Sequence, residues 1–430
     1  MEHDIYSLVE KLFPICRSIT GDGNRQTLDI ISEYIPIVKH EVPTGYQAFD
    51  WEVPEEWNIR DAYILNENNE KIVDFKSNNL HVLNYSIPIN KTVTLGELDK
   101  HLYSIPEMPE AIPYVTSYYE KRWGFCISHN QRKLLKDEKY KVVIDSDLKN
   151  GHLTYGELII PGKTEKEVPL TTYICHPSMA NNECSGPAVT TFLAKSILEK
   201  KERKYTYRIV FAPETIGAIT YISKNFDCLK KNTVAGFNIT CVGDDRQYSY
   251  LKSRLGNTIT DKIAKHVLDN FVENYIEYPF LAKGSDERQY CHPHLDLPLV
   301  SIMRSKYGTY PEYHNSNDNL DFVTPDGLFG AFKVLEKCID AIESNEIYIT
   351  AFPCEPKMIK RNLHPKDWFM RRAGGISPKT WKSVRDMMNV IFYCDGAHDV
   401  IDIANTLDIP FDECAEYCQI LKESGVLTVL

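Results

Sequence analysis

The chain has 430 residues, with 49 Lys and Arg against 60 Asp and Glu, for a formal net charge of −11. That length exceeds what one hydrophobic core serves well, so two or three domains are expected, and the acidic balance offers no general attraction to nucleic acid or to an anionic membrane surface. No window approaches the ~18 uninterrupted apolar residues of a membrane span. The N-terminal stretch Met1–Phe13 reads as a short helix with acidic residues at its start, not as a basic region followed by an apolar one, so a cytoplasmic location is expected. A second helix follows, separated by Arg17-Ser-Ile-Thr-Gly-Asp-Gly-Asn24. A Gly-Asp-Gly turn with Asn24 or Asp22 as helix cap accounts for that loop structurally.

From about 42 to 158 the pattern changes. Trp51, Trp57, Tyr63, Val73, Leu80, Val82 and Tyr85 are interleaved with polar residues and with turn signals such as Asn66-Glu-Asn-Asn69, which predicts short antiparallel strands. Residues 42–154 read as a β-rich domain inserted into a host fold, its two ends close together.

The apolar, β-branched run Glu167–Ile174 predicts a buried strand, and Val189, Phe192, Leu193 and Ile197 mark a helix over Ala188–Glu199. His176 therefore falls at a strand end and Glu183 just ahead of a helix, at the edge where open α/β sheets collect ligands. Each has an ordinary structural use, the His-Pro in a turn and the carboxylate at a helix N-terminus. Three further segments shift the balance. Tyr207–Gly217 is a strand ending in Glu214, Val234–Asp244 is another apolar strand, and Gly284-Ser-Asp-Glu-Arg-Gln-Tyr290 leads into a strand over Leu297–Met303 that runs on toward His314. Two histidines and several acids at strand ends outline a metal site, where a carboxylate such as Glu214 takes the proton of an activated water. Helices are expected over Thr258–Val272 and Gly327–Ser344.

Ala351–Pro365 carries Pro353, Pro356 and Pro365 and reads as a linker. Beyond it, Thr380–Cys394, Val400–Leu407 and Phe411–Ser424 are amphipathic, and with Gly425–Leu430 they outline a winged helix-turn-helix over 356–430. The segment that would enter a DNA groove carries Asp412, Glu413, Glu416 and Glu423 against Lys422. Groove binding needs the opposite sign, so a packing or protein-interaction module is expected and no nucleic-acid partner. The twelve cysteines include no Cys-x-x-Cys pair, and Cys126, Cys175, Cys241 and Cys338 lie in apolar runs; reduced core thiols are expected.

In Cys175–Asn181, Pro213–Gly217, Ser285–Gln289 and Glu312–Ser316, the chain resembles the zinc aminopeptidase-like domains related to bacterial leucyl aminopeptidases, in the branch often encoded with polysaccharide-biosynthesis genes. The resemblance covers nearly the whole chain. It implies an α/β, doubly wound zinc-exopeptidase-like sheet built from 1–41 and 155–350, and it casts His176, Glu214 and His314 as the first His, the base and the last His of the two-zinc enzymes. Three of those enzymes' acidic ligand positions are here Asn182, Thr215 and Thr240, neutral groups that cannot hold the charge of two metals. One zinc per chain is expected, held by His176, Glu183 and His314 with a fourth position left to water, and with Asp286 and Glu287 in reserve. Arg288 and Arg304 can clamp a substrate carboxylate, whereas Asp286 or Glu287 can hold an α-amine; Asp286 and Arg288 are the candidate substrate-binding pair. The expected activity is hydrolysis of an amide in a small peptide or an amide-bearing saccharide, with Glu214 as base and then acid. The alternative is a catalytically degenerate binding or scaffold protein, and homo-oligomerisation is left open.

Overall fold

The computed structural model describes residues 1–363 and 378–430. It divides into two compact units, Met1–Asp261 with Asn274–Leu335, and Lys262–Glu273 with Glu336–Leu430.

The first unit begins with α1 (Glu2–Leu12), whose Ile5, Leu8, Val9 and Leu12 form one buried stripe at helical spacing. In α2 (Asp22–Ser32) the cap is Gly21 at φ 107°, with no side-chain cap bond. The expected cap Asn24 is instead buried and donates from Nδ2 to the Ser18 carbonyl at 2.9 Å. Glycine is required at position 21 because a Cβ there would collide with the Trp57 carbonyl.

Strand β1 (Val38–Pro43) joins the central sheet, and the chain then leaves it to build β2 (Glu56–Leu65), β3 (Lys71–Asp74), β4 (Ile89–Thr94) and β5 (Lys139–Lys149). These form a separate antiparallel sheet in the order β3-β2-β5-β4. Its alternating Ala62, Ile64, Val142 and Ile144 face a core that also holds Trp57 and Phe125. The chain returns in β6 (His152–Ile160), antiparallel to β1 with Pro43 opposite His152. The excursion thus starts and ends on paired residues, which is why a host sheet tolerates it.

The remaining strands of the central sheet are β7 (Glu167–Tyr173), β8 (Thr206–Ala212), β9 (Gly236–Asn238), β10 (Tyr248–Leu251), β11 (Tyr275–Tyr278) and β12 (Leu299–Met303), in the order β1-β6-β8-β7-β9-β12-β10-β11. The middle four are parallel, while β6 pairs antiparallel to β8 and β10 antiparallel to β12. The architecture is therefore a mixed α/β sheet. Every residue of β7 is buried, as expected of a strand with both faces covered. The strand expected over Val234–Asp244 is regular only at Gly236–Asn238, and Cys241 beyond it stands at φ 51°. Connecting helices are α3 (Ser185–Glu199), α4 (Ile216–Asn232), α5 (Ile259–Phe271) and α6 (Pro325–Ser344). A π-type turn, Ala180–Cys184, precedes α3.

In the second unit, β13 (Ile347–Thr350) lies between β14 (Asp395–Asp399) and β15 (Leu427–Val429) in an antiparallel sheet, alongside α7 (Pro378–Tyr393), α8 (Val400–Leu407) and α9 (Phe411–Glu423). The sheet takes its middle strand from before the proline-rich segment, ahead of the start expected at 356; Pro365 lies outside the described residues. Asp399 caps α8 by accepting from the Asp402 N–H at 3.0 Å. Among the described residues no helix is long and apolar enough to cross a membrane, and all twelve cysteines are free thiols.

Candidate functional site

The parallel strands β7 and β8 end side by side, and the residues that follow them build the site. His176 comes three residues after β7, almost fully buried. Its Nδ1 lies 2.9 Å from Glu183 Oε2, delivered by the π-type turn, and its Nε2 lies 3.6 Å from Glu214 Oε2, delivered by the loop after β8. The two carboxylates thus occupy opposite edges of one imidazole. Glu214 is anchored by its own N–H, which donates to Cys175 Sγ at 3.2 Å, and its side chain is 21% exposed, the outlet of an otherwise closed cluster.

His314 completes the pair of rings, its centroid 5.4 Å from that of His176. It sits at φ 60°, stacked on Tyr313 at 3.8 Å, and its buried Nε2 has no hydrogen-bond partner. Burial pushes His176 down to about 3, with the Arg17 charge adding to it, and pushes His314 down to about 3, with His176 adding to it. Both rings are therefore neutral, the form in which imidazole binds metal. Burial drives Glu183 up to about 8 against the opposing pull of Arg17. It drives Glu214 well above the carboxylate range, with Asp286 adding to the effect, and Asp286 to about 7.

Among the described residues, the potential ligands whose donor atoms all fall within 4.8 Å of one another are Cys175, His176 and Glu183; His314 is not in that cluster. Glu183 Oε1 faces Arg17 Nε at 3.3 Å, both side chains about 1% exposed. A carboxylate on Nδ1 beside a buried guanidinium is placed to orient the ring, leaving Nε2 as the open edge.

At the expected neutral positions, a hydrogen-bond network replaces acids. Asn182 donates to the Tyr173 hydroxyl at 2.7 Å, and Thr240 Oγ1 lies 2.5 Å from the same oxygen. Thr215, at φ 62°, donates its N–H to Asp286 Oδ1 at 2.8 Å and accepts from Arg288 Nη2 at 2.6 Å. Asp286 and Arg288 are thereby joined next to Glu214, while the buried Arg288 Nε has no partner. Of the two reserve acids, Asp286 thus lies beside Glu214, whereas Glu287 does not gather with them. Glu287 Oε1 accepts from the Gly284 and Ser285 N–H groups and from Tyr307, and Oε2 accepts from Asn238, so it is a saturated structural acid. Arg304 lies over the Tyr248 ring at 3.9 Å.

Sequence reasoning missed Arg17, Tyr114, Tyr118 and Tyr173. Tyr114 comes from the inserted segment, and its ring lies 5.1 Å from both histidines while its hydroxyl meets that of Tyr118 at 2.8 Å. Its N–H donates to the His314 carbonyl at 2.8 Å. The insertion thus walls the site. For Arg17 a signal existed: a lone charge in the mostly apolar run Leu12–Ile19.

A mixed α/β sheet with paired histidines and an acid beyond its parallel strands, joined to a winged helix, is an aminopeptidase-like architecture. The chain belongs to the family described as a domain of unknown function (DUF4910), whose model matches residues 6–345, and a winged helix-turn-helix model matches residues 346–429. It is 48% identical, over 402 residues covering 93% of this chain and 90% of the relative, to a Clostridium acetobutylicum protein named as a candidate polysaccharide biosynthesis protein with an aminopeptidase-like domain. A crystal structure of a candidate peptidase from the same organism superposes with a TM-score of 0.92 at 44% identity, covering 100% of this chain and 96% of that one. The zinc aminopeptidase of Bacillus subtilis superposes with a TM-score of 0.57 at 11% identity, covering 79% and 94%, a likeness of fold alone.

Proposed function

We propose that this protein is a metal-dependent hydrolase that cleaves an amide bond, using a single zinc on the Nε2 side of His176. The observation that carries this reading is the unpartnered, buried Nε2 of His314 beside a neutral His176 whose Nδ1 is already committed to Glu183. The residues that would hold the metal are His176 and His314, with Glu183 acting through the ring instead of as the direct ligand expected from the resemblance. Bound there, zinc supplies Lewis acidity that polarises an amide carbonyl and acidifies a water. Glu214, at the open edge, is placed to accept the water's proton on Oε2 and return it to the leaving amine. The Tyr114 and Tyr173 rings pack against His176 and keep bulk water off it. Arg288 and Asp286 receive the charged end of the substrate, a small peptide or an amide-bearing saccharide, the latter in keeping with the name of the Clostridium relative.

Elemental analysis of the purified protein is expected to give about one zinc per chain, since the two imidazoles serve a single metal and the acids for a second are missing. Glu214→Gln is expected to keep the zinc and lose roughly two to four orders of magnitude of turnover on a panel of aminoacyl and N-acyl amides. Two tightly held metals, or zinc lost together with activity, overturns the assignment of roles.

The network around Tyr173 favours a second reading, a degenerate relative that binds without turning over. Metal-loaded protein inert on the whole panel would select it.

A further inference from the structure

We propose that Trp51 and Tyr119 form a stacking platform for a sugar ring, which makes a saccharide that carries the amide, in preference to a peptide, the substrate class of this site. The catalytic consequence rests on the hydrolase reading above; the platform does not.

Both residues belong to the inserted segment, and a lane of rings joins them to the paired histidines. The Tyr114 ring lies 5.1 Å from His176 and from His314, and its hydroxyl meets that of Tyr118 at 2.8 Å. The Tyr119 ring follows at 6.4 Å from Tyr118, and Trp51 stands edge-on to Tyr119 at 5.5 Å. Along this lane burial gives way to solvent: Tyr114 is 9% exposed, Tyr119 50% and Trp51 38%, so the outer rings are open to a ligand. The Tyr119 phenol is also within electrostatic reach of Arg288 and Glu214, the groups proposed to meet the substrate. Trp51 in turn lines a cavity of about 460 Å³, within the usual size of a small-molecule site. Phe226 of α4 and Leu295 give it an apolar wall, and Asp50, Gln289 and His292 contribute polar groups.

Two local features mark these rings as displayed for a ligand. Phe49, at φ 56°, and Tyr119, at φ 67°, stand in the left-handed region, where turns ordinarily carry Gly, Asn or Asp and a bulky side chain is strained. Such strain concentrates at functional sites, and here it falls on two exposed aromatic residues from separate loops, each next to or in contact with the hairpin that carries Trp51. The second feature is that this hairpin, residues 47–52, is poorly suited to an extended peptide. Strand addition draws on free backbone groups, whereas Gln47 Nε2 already donates to the Phe49 carbonyl at 2.9 Å and to the Trp51 carbonyl at 3.1 Å. What the hairpin offers is ring faces beside polar side chains. A pyranose matches that offer. Its axial C–H groups make an apolar, weakly positive face that suits the negative face of an aromatic ring, while its hydroxyls and acetamido group leave at the edge toward a polar rim.

The probe is N,N′-diacetylchitobiose, a disaccharide with two amides, added to the full-length protein and followed by saturation-transfer difference NMR. Wild type is expected to bind it saturably, with the strongest transfer to pyranose C–H protons. Trp51→Ala and Tyr119→Ala are each expected to weaken the affinity by roughly 5- to 30-fold, the usual loss when an aromatic anchor is truncated. The two residues lie on separate loops, so if one variant does not fold the other decides. Rings that serve packing alone would lower the melting temperature and leave sugar affinity unchanged. That result overturns the proposal, as does a wild-type protein that ignores the sugar, or one that prefers leucyl-phenylalanine amide through the same two residues. Sugar bound through Trp51 by a protein inert on every amide removes the hydrolase reading alone. Turnover of amides by a protein that does not bind the sugar removes the platform alone.

Discussion

His314 sits in the left-handed region at φ 60°, a conformation that costs a residue other than glycine about 1–3 kcal/mol and concentrates at functional sites. Asn tolerates that region, so His314→Asn is expected to melt within a few degrees of wild type while losing zinc binding in calorimetry; a large drop in melting temperature would show that the histidine is there for packing. A second residue-scale test concerns an ion pair outside that site. Arg25 grips both oxygens of Glu56 at 2.8 Å, and these hydrogen bonds, opposed by burial, hold the Glu56 carboxyl down at about 2, below its ordinary 4.5. A depressed carboxylate adds stability above its unfolded value and loses it as pH falls toward the folded one. Glu56→Gln is therefore expected to be the less stable protein at neutral pH, and the two acid-unfolding curves are expected to converge between about pH 4.5 and pH 2. At this scale the sequence was legible where chemistry-bearing residue types follow strand ends, as for His176 and Glu214, which the structure brings within 3.6 Å. Arg17 and Tyr114 act through contacts made by distant segments, and nothing in their local spacing states the partner.

Elements were legible where periodicity is strong. The buried run at β7, the amphipathic stripe of α8 and the alternation across residues 42–158 all produce the expected elements, because burial on one or both faces sets the pattern directly. Failures occur where one backbone angle overrides composition. The apolar run after Val234 supports only a three-residue strand and reaches positive φ at Cys241, and the turn before α3 is of π type, which lets consecutive Asn182 and Glu183 face different partners. Short as it is, β9 joins β7 to β12, and Phe237 within it is fully buried. Phe237→Ala is expected to cost about 3–5 kcal/mol, the range for a deleted core aromatic. A melting temperature unchanged by that substitution would mean that the centre of the sheet relaxes around the cavity.

At the scale of the whole molecule, a winged helix is attached to an aminopeptidase-like fold, and its sign of charge argues against a DNA role. The first turns of α9 carry Asp412, Glu413 and Glu416, and its last turn offers only Lys422 beside Glu423. Phosphate contacts supply most of the affinity for DNA, so an acidic reading helix is repelled. The full chain is expected to show no salt-dependent change in fluorescence anisotropy with labelled duplexes; sequence-selective retention would overturn that reading. The second unit also takes in Lys262–Glu273, most of α5, although α5 begins in the first. Within that unit Lys262 Nζ meets Asp402 at 2.7 Å, His266 Nδ1 meets Asn405 Oδ1 at 2.7 Å, and Lys337 reaches Asp412. These partly exposed polar contacts contribute little individually, but they accompany the buried Val267 and Leu268 on the same helix. Truncation after Ser344 is therefore expected to lower the melting temperature and expose apolar surface along α5, with a rise in light scattering as that surface self-associates. A truncated chain that melts and scatters like the full-length protein would mean that these contacts do not hold α5.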